Sequence, residues 1–544
     1  LHNYNLKWFY PYLKCLSSNE AFSPSTPTDS RRGKIKNYFT EKLENKRQDE
    51  GRCSDDFIFS YDFDAASLEM DLPPLTVSYN EKSGRCLQAT KNIEAGETIF
   101  WEPPLVLTPK AGAGPICLDC FKSLPDTNWP VCNGCRCPKC NENCEGNEHS
   151  DMECKILAKI YGDKDLFGDV KIVKKLNIIL TPLRTYIAMI KSPSIDQIIF
   201  SLQSNALERK KLSIGQFIQK HIVSVFEDYS ELNFESDFVH HVCGIFDTNA
   251  FDVTVENHRQ GRALLPLAAL MNHSCTPNTQ HWFLFGTLVV RACVPIRKGE
   301  IITNSYTQAF LGNKDRKGYL AMTKLFKCTC KRCQDPTELG SYISSILCQK
   351  CRTGLLTPVT NKTYSCGMCE NSIPLSSAMT IVNVASGVVM TAEDMSSDVL
   401  HKTMQRLSAM IGPQHFTTVK LNFIYLRKVI NNLGEAKEED MIECLSKTEA
   451  LMQLTDKIEP GATRTRGILL FYKLSITAEL AKRIVSGSDD WKAEEEMDEL
   501  FEECEFILKW DFLLEDAQKV SEKWRRVREI FLYDKNKLRN DPLV

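Results

Sequence analysis

Paired cysteines constrain this chain more than any other feature, because two thiolates three positions apart are pinched onto one ion, and each such knuckle fixes a turn locally. The sequence holds 23 cysteines. A first constellation, Cys117-x2-Cys120, Cys132-x2-Cys135, Cys140-x3-Cys144, His149 and Cys154, supplies eight ligands, enough for two structural zinc sites. Spacing alone permits either sequential or interleaved pairing. Farther on, Cys328-x-Cys330-x2-Cys333 offers three thiolates. Cys348-x2-Cys351 and Cys366-x2-Cys369 then form two more knuckles flanking Thr353-Gly354, a pattern that predicts a further structural zinc. Cys243, Cys293, Cys444 and Cys504 sit in apolar or helical contexts and are expected to be small buried residues.

Knuckle spacing also speaks to compartment, since a secreted disulfide framework more usually spreads its cysteines through a short chain. Reduced cytosol or nucleus is the expectation. At 544 residues the chain is too long for one compact core, so several domains are expected. A formal net charge of −3 gives no general attraction to nucleic acid or to an anionic membrane. No apolar run reaches the roughly 20 residues of a membrane-spanning helix, and Leu1-His2-Asn3-Tyr4 lacks the charged-then-apolar order of a signal peptide. The reading is a soluble chain. A sequence that opens on leucine is expected to lack its true N-terminus.

From Ser17 to about Asp55 the chain is rich in Ser, Pro, Lys and Glu, with few periodic apolar positions, which predicts a mobile tail. After Pro73-Pro74, short strands are expected through Gly84-Arg85-Cys86-Leu87 to Ile93-Glu94-Ala95-Gly96-Glu97-Thr98-Ile99. The same device returns at Ile296-Arg297-Lys298-Gly299-Glu300-Ile301-Ile302, which suggests two similar strand-turn units of one β-rich domain. Between Lys155 and Asp237 the pattern is helical, with Thr181-Pro182 read as a helix start. Trp282 to Phe285, a Gly286-Thr287 turn and Leu288 to Val290 read as a hairpin. Beyond Ser376, Phe416, Val419, Phe423, Leu426, Ile430 and Leu433 form one helical stripe, and Trp524, Val527 and Phe531 contribute to another. Pro460-Gly461 and Ser486-Gly487-Ser488 are expected to separate helices, and Glu494-Glu495-Glu496 to lie on a solvated face.

Six segments in order carry a resemblance: Gly84-Arg85-Cys86-Leu87, the first cysteine constellation, Asp247-Thr248-Asn249-Ala250-Phe251, Asn272-His273-Ser274-Cys275, Ser305-Tyr306, and Phe326 just before the three-cysteine cluster. With them the chain resembles the SET and MYND domain-containing (SMYD) family of protein-lysine methyltransferases, particularly its arthropod-type branch. The resemblance runs from about Leu75 to Cys333, more loosely beyond. It implies an α+β multidomain fold: a mobile tail over 1–70, a SET domain split between 71–115 and 238–310, a MYND-type zinc finger over 116–154 and a helical insert over 155–237. A post-SET zinc segment (311–340), the added knuckles (341–375) and a helical, tetratricopeptide-like C-terminal domain (376–544) follow.

The same resemblance assigns Cys117, Cys120, Cys140 and Cys144 to one zinc and Cys132, Cys135, His149 and Cys154 to another, leaving Cys137 spare. Cys275 would join Cys328, Cys330 and Cys333 around a third. Asn249, Asn272 and His273 would contact S-adenosylmethionine, Phe326 would pack on its adenine, and Gly84 and Arg85 would lie along it. Tyr306 would orient the attacking lysine amine and touch the transferring methyl, so it counts as both catalytic and cofactor-binding. The implied partner is a lysine-containing protein, histone or non-histone, met by a monomer in cytoplasm and nucleus. Two departures point to an alternative. Cys86 stands where active members usually carry Gly, and Lys324 replaces a second channel tyrosine. Both favour a catalytically weak or inactive adaptor or transcriptional corepressor, whose MYND module grips proline-rich peptides.

Overall fold

The computed structural model describes residues 73–81, 84–126, 128–142, 144, 148–161, 170–192, 194–228, 234–255, 258–284, 286–360, 362–484 and 491–508. The expected tail, the Trp524 stripe and the Ser486-Gly487-Ser488 turn lie outside them. The chain divides into two compact units, one comprising residues up to 85 with 102–270, the other 86–101 with 271 onward. Among the described residues the first ten strands in chain order are β1 (Leu75–Asn80), β2 (Gly84–Ala89), β3 (Thr98–Glu102), β4 (Val106–Pro109), β5 (Phe251–Val255), β6 (His258–Leu264), β7 (Asn272–His273), β8 (Thr279–Leu284), β9 (Thr287–Ala292) and β10 (Thr303–Asn304).

In the first unit β4, β6 and β5 form an antiparallel sheet in that order, with Val106 opposite Leu264 and Phe251 opposite Ala263. Helices Asp151–Tyr161, Val170–Lys191 and Ser236–Asn249 supply most of its core, where Leu176, Ile179, Leu180 and Leu183 meet Val239, Val242 and Phe246. The reading of Thr181-Pro182 as a helix start is corrected here: one helix runs from Val170 through Pro182 to Lys191. Proline removes one backbone donor from a helix interior. The missing cap is replaced by burial, for the Thr181 hydroxyl donates to Thr108 Oγ1 at 3.3 Å and Thr185 Oγ1 donates to the Thr181 carbonyl at 2.8 Å.

In the second unit the duplicated strand-turn devices pair with each other. Ile93 bridges Ile296, with both backbone N–H groups donating across at 2.8 and 2.9 Å, and Ile302 N donates to Leu87 O at 2.8 Å. Each turn is built alike. Gly96 and Gly299 take φ of 81° and 88°, a region open to glycine, and the following glutamate folds back on a backbone N–H three residues earlier. Glu97 accepts from Glu94 N at 3.0 Å, and Glu300 from Arg297 N at 3.1 Å. Strands β3, β9 and β8 form a second sheet, whose β8–β9 hairpin turns at Gly286.

The rest of the second unit carries a small antiparallel sheet, Ile346–Leu347, Leu355–Pro358, Thr363–Cys366 and Ser372–Pro374, followed by helices Leu375–Met390, Ser397–Ile411, Phe416–Asn431, Glu438–Ile458, Arg464–Ile484 and Trp491–Leu508. The last five pack each on the next. The stripe expected on Phe416–Asn431 faces inward, with Phe416, Val419 and Leu426 buried. Gly461, at φ 87°, makes the expected break, and it approaches the Cys293 carbonyl so closely that a Cβ there would lie 2.1 Å from the oxygen. One expectation is corrected in this region. Residues 375–394 form a helical stretch long and apolar enough, by length and composition, to cross a membrane. Its Ser, Thr and Asn residues interrupt the apolar run in the sequence without adding charge until its end. Ala378, Val382 and Ala385 of this stretch are buried in the unit's core.

Candidate functional site

In the second unit the Asn272-His273-Ser274-Cys275 segment is held by a short parallel pairing, with Asn272 opposite Thr303 and His273 opposite Asn304. Ser274 N donates to Asn304 O at 3.0 Å. This pairing brings Tyr306 back over His273, their ring centroids 5.1 Å apart. His273 Nδ1 accepts from the Tyr306 backbone N–H at 3.0 Å, so its proton sits on Nε2, which faces Cys275 Sγ at 3.2 Å. Burial pushes the imidazole down to about 4, consistent with a neutral ring that accepts at one nitrogen and donates at the other.

The Tyr306 hydroxyl donates to the Met271 carbonyl at 2.6 Å, and burial raises the phenol to about 12. Its one proton is therefore committed to the backbone, and the oxygen's remaining lone pairs are left to accept. Phe326 stands edge-on to Tyr306 with centroids 6.4 Å apart and 5.9 Å from His273, and is 37% exposed. Between Lys324 and Phe326, Leu325 takes φ 58°, a sharp reversal that a branched residue seldom adopts. Lys324 Nζ lies 5.8 Å from the Tyr306 ring centroid. Asn272 Nδ2 is buried and has no hydrogen-bond partner among the described residues. Thus the rings of His273, Tyr306 and Phe326 stand together, with Lys324 beside Tyr306.

In the first unit Asn249 closes helix Ser236–Asn249, its Nδ2 donating to the Gln203 and Ile245 carbonyls, each at 2.8 Å. Gly84 takes φ 71°, and the Arg85 guanidinium donates to the Ser201 carbonyl. Cys86, at the head of the second unit, is 1% exposed, so its side chain is accommodated in the interior. One residue escaped the sequence reading. Glu102 is buried and accepts from Leu267 N and Ala268 N, both at 2.8 Å, fixing the turn of helix 3-10 type at Ala268–Leu270. Burial outweighs these two donors and pushes its carboxyl up to about 7. The signal was available: Glu102 places a charge at an inward position of a strand otherwise reading Thr-Ile-Phe-Trp.

Four ligand sets converge, each with its donor atoms within 4.8 Å of one another: Cys117, Cys120, Cys140 and Cys144; Cys132, Cys135, His149 and Cys154; Cys275, Cys328, Cys330 and Cys333; Cys348, Cys351, Cys366 and Cys369. The first two interleave. A zinc–sulfur bond of about 2.3 Å places tetrahedral sulfurs about 3.8 Å apart. The Sγ separations are 3.7 Å for Cys117–Cys144 and Cys120–Cys140, 3.6 Å for Cys132–Cys154, 3.5 and 4.0 Å from Cys275 to Cys333 and Cys328, and 3.7 and 3.8 Å in the last set. Each set fits a tetrahedral ion. Cys137 stays outside, its thiol on the Cys135 carbonyl.

The sequence reading named ligands but not their supports. His149 faces Cys135 with Nε2 and Glu153 with Nδ1 at 2.9 Å, and Arg184 in turn binds Glu153 at 2.8 and 3.0 Å while donating to the Leu107 and Leu118 carbonyls. A carboxylate behind a ligating histidine fixes its tautomer.

Residues 84–307 match the SET domain family. SET domain-containing protein SmydA-8, isoform A, of Drosophila melanogaster is 35% identical over 327 residues, covering 58% of this chain and 68% of that protein. Histone-lysine N-methyltransferase ASHR1 of Arabidopsis thaliana is 26% identical, over 62% of this chain and 74% of that protein. Histone-lysine N-methyltransferase SMYD3 of Homo sapiens is 28% identical, over 46% and 60%.

Proposed function

Because this chain belongs to the SET and MYND domain-containing (SMYD) family, we propose that it is an S-adenosylmethionine-dependent protein-lysine N-methyltransferase acting on a histone or non-histone protein. The observation that carries the reading is an unpartnered Asn272 Nδ2 next in chain to His273, whose ring lies against the half-open Phe326 ring. A buried donor without an acceptor is costly. Together the two suit a ligand that offers both a hydrogen-bond acceptor and a flat heteroaromatic ring. Asn272, His273, Asn249, Gly84 and Arg85 are assigned to the cofactor's polar parts, Phe326 to its adenine and Tyr306 to its reacting end. When bound, the cofactor supplies a methyl group activated by a positive sulfonium.

The remaining work falls to Tyr306. A lysine ammonium, of ordinary pKa about 10.4, must shed a proton before its nitrogen can attack. A site walled by Tyr306, neutral His273 and Phe326 favours the uncharged amine by desolvation. Tyr306 stays protonated at neutral pH and gives its hydrogen to Met271, so its oxygen orients the amine as an acceptor and takes no proton. Alignment supplies the acceleration.

The family reading extends to architecture: 71–115 with 238–310 as the split SET domain, 116–154 as the MYND-type finger, 155–237 as the insert, 311–340 as the post-SET segment, 341–375 as the added knuckles and 376–544 as the C-terminal helical domain. Zinc is assigned to all four ligand sets. Cytoplasm and nucleus are the proposed compartments. A second reading is favoured by one observation, the Lys324 ammonium over Tyr306, which sets a cation where a substrate amine is to be oriented. On that reading the pocket is weak or silent and the zinc modules act as an adaptor for proline-rich peptides.

Calorimetric titration with S-adenosylmethionine, followed by methyl transfer to a panel of histone and non-histone proteins, separates the two. Binding with turnover that Tyr306→Phe abolishes supports the enzyme; binding without turnover supports the adaptor; no binding ends the methyltransferase reading.

A further inference from the structure

Behind the third cysteine set lies a charge network in which two buried guanidiniums share one carboxylate oxygen. Arg316 and Arg332 are both 0% exposed, and Glu338 is 1% exposed. Arg316 Nη2 meets Glu338 Oε2 at 2.7 Å, and Arg332 Nε meets the same oxygen at 2.9 Å. Glu338 alone cannot balance two buried guanidiniums, and an uncompensated buried charge is strongly destabilising. Glu459 also attracts Arg332, and Arg316 finds its further negative charge next door. Arg316 Nε points at Cys275 Sγ from 3.3 Å and its Nη2 at Cys333 Sγ from 3.8 Å, while Arg332 Nη1 donates to the Cys275 carbonyl at 3.3 Å.

Four thiolates around a divalent ion leave two negative charges in excess, which the net positive charge of Arg316, Arg332 and Glu338 offsets in part. The network's geometry is fixed at some cost. Glu338, Leu339 and Gly340 take φ of 51°, 64° and 71° in succession, and strain of this kind persists only where the surroundings over-determine it. The turn aims the Glu338 carboxylate inward, where the Ser344 hydroxyl also donates to it.

We propose that Arg316, locked by Glu338 and backed by Arg332, is a positioning residue for the zinc held by Cys275, Cys328, Cys330 and Cys333: its fork neutralises the bound thiolates and holds Cys275 in place. The assignment rests on reading this set as a zinc site. It also ties metal retention to the neighbouring pocket. His273 Nε2 shares Cys275 Sγ with Arg316, and His273 Nδ1 holds the Tyr306 backbone. No comparable guanidinium reaches a ligand sulfur of the other three sets among the described residues, so the effect is local.

The test compares full-length wild type, Arg316→Lys and Arg316→Met as purified zinc-loaded proteins. Zinc loss to a chromogenic chelator is timed, and mass spectrometry of alkylated peptides reports which cysteine set opens. Supporting residues behind metal ligands commonly matter by about 10- to 100-fold in metal affinity. The expected result is Cys275-peptide opening at least about tenfold faster in Arg316→Met, a smaller acceleration in Arg316→Lys, which keeps the charge but loses the fork, and unchanged opening of the other three sets. Equal rates in all three proteins, or equal acceleration of all four sets, overturn the proposal. If Arg316→Met does not fold, Arg316→Lys decides. A wild-type protein that carries no zinc at Cys275 refutes the zinc reading itself, an outcome distinct from wild-type-like zinc retention in the variants.

Discussion

Replacing Asn272 with leucine, which is close in size and has no polar atoms, gives opposite signs in two measurements. The buried Nδ2 has no acceptor among the described residues. An unsatisfied buried donor costs about 1–3 kcal/mol. The unliganded protein carries that cost, so Asn272→Leu should leave its stability unchanged or raise it. S-adenosylmethionine relieves the same cost on binding, and at about 1.4 kcal/mol per tenfold the variant should bind roughly 5- to 150-fold more weakly. Stability is read from urea unfolding of the unliganded protein and affinity from calorimetric titration. An ordinary packing residue would show the reverse pattern, lower stability with intact affinity. That result would falsify the assignment of Asn272 to the cofactor.

Three further outcomes are expected. Tyr306→Phe removes one positioned oxygen, and by analogy with the loss of a single transition-state hydrogen bond it should lower methyl-transfer kcat by about 100-fold or more while the cofactor Kd stays within about threefold; retained turnover refutes the role given to the phenol. Lys324→Tyr replaces a cation resting over Tyr306, a contact worth about 0.5–1 kcal/mol, with an aromatic wall, and turnover on lysine-containing protein should rise; a fall would show that the cation serves the substrate. Glu102 has its folded pKa raised from the ordinary 4.5 to about 7, so the folded state holds the extra proton between those values. Stability present below pH 4.5 is lost as pH rises through 7, by about 3 kcal/mol in total. Glu102→Gln, isosteric with the protonated form, should flatten that profile when unfolding is followed by circular dichroism from pH 4 to 8; an unaltered slope excludes Glu102 as its source.

The ligand sets were legible because thiolate spacing is local: two cysteines three positions apart share an ion wherever the rest of the chain goes, and the stretch Cys348 to Cys369 needed nothing more. The interleaving of Cys117 with Cys140, and of Cys132 with His149, was not in the spacing. It came with the family pattern, and the sulfur separations agree with it. Nor could spacing bring Cys275 to Cys333, which depends on the pairing of β7 with β10. The duplicated Gly–Glu turns were visible as a repeat, whereas their mutual pairing is tertiary. Thr181-Pro182 misled because a proline at a helix start and one inside a buried helix have the same neighbours in sequence, and only packing tells them apart. Arg316, Arg332 and Glu338 left weak traces, since charged residues are mostly solvated and nothing nearby in sequence marks these as buried.

Ile93 and Ile296 meet although roughly 200 residues of chain separate them, and closing so long an excursion costs conformational entropy before any contact repays it. Within that excursion lie both interleaved cysteine sets, and residues 102–270 belong to a compact unit with the chain before residue 86. Collapse of that unit shortens the effective tether, so the two ends are brought to each other by a folded body in place of a free coil. With zinc in both sets, as proposed, metal supply during synthesis would set the pace of that closure. A nascent chain starved of zinc would delay closure of this central seam and leave strand edges bare, the state in which chains aggregate.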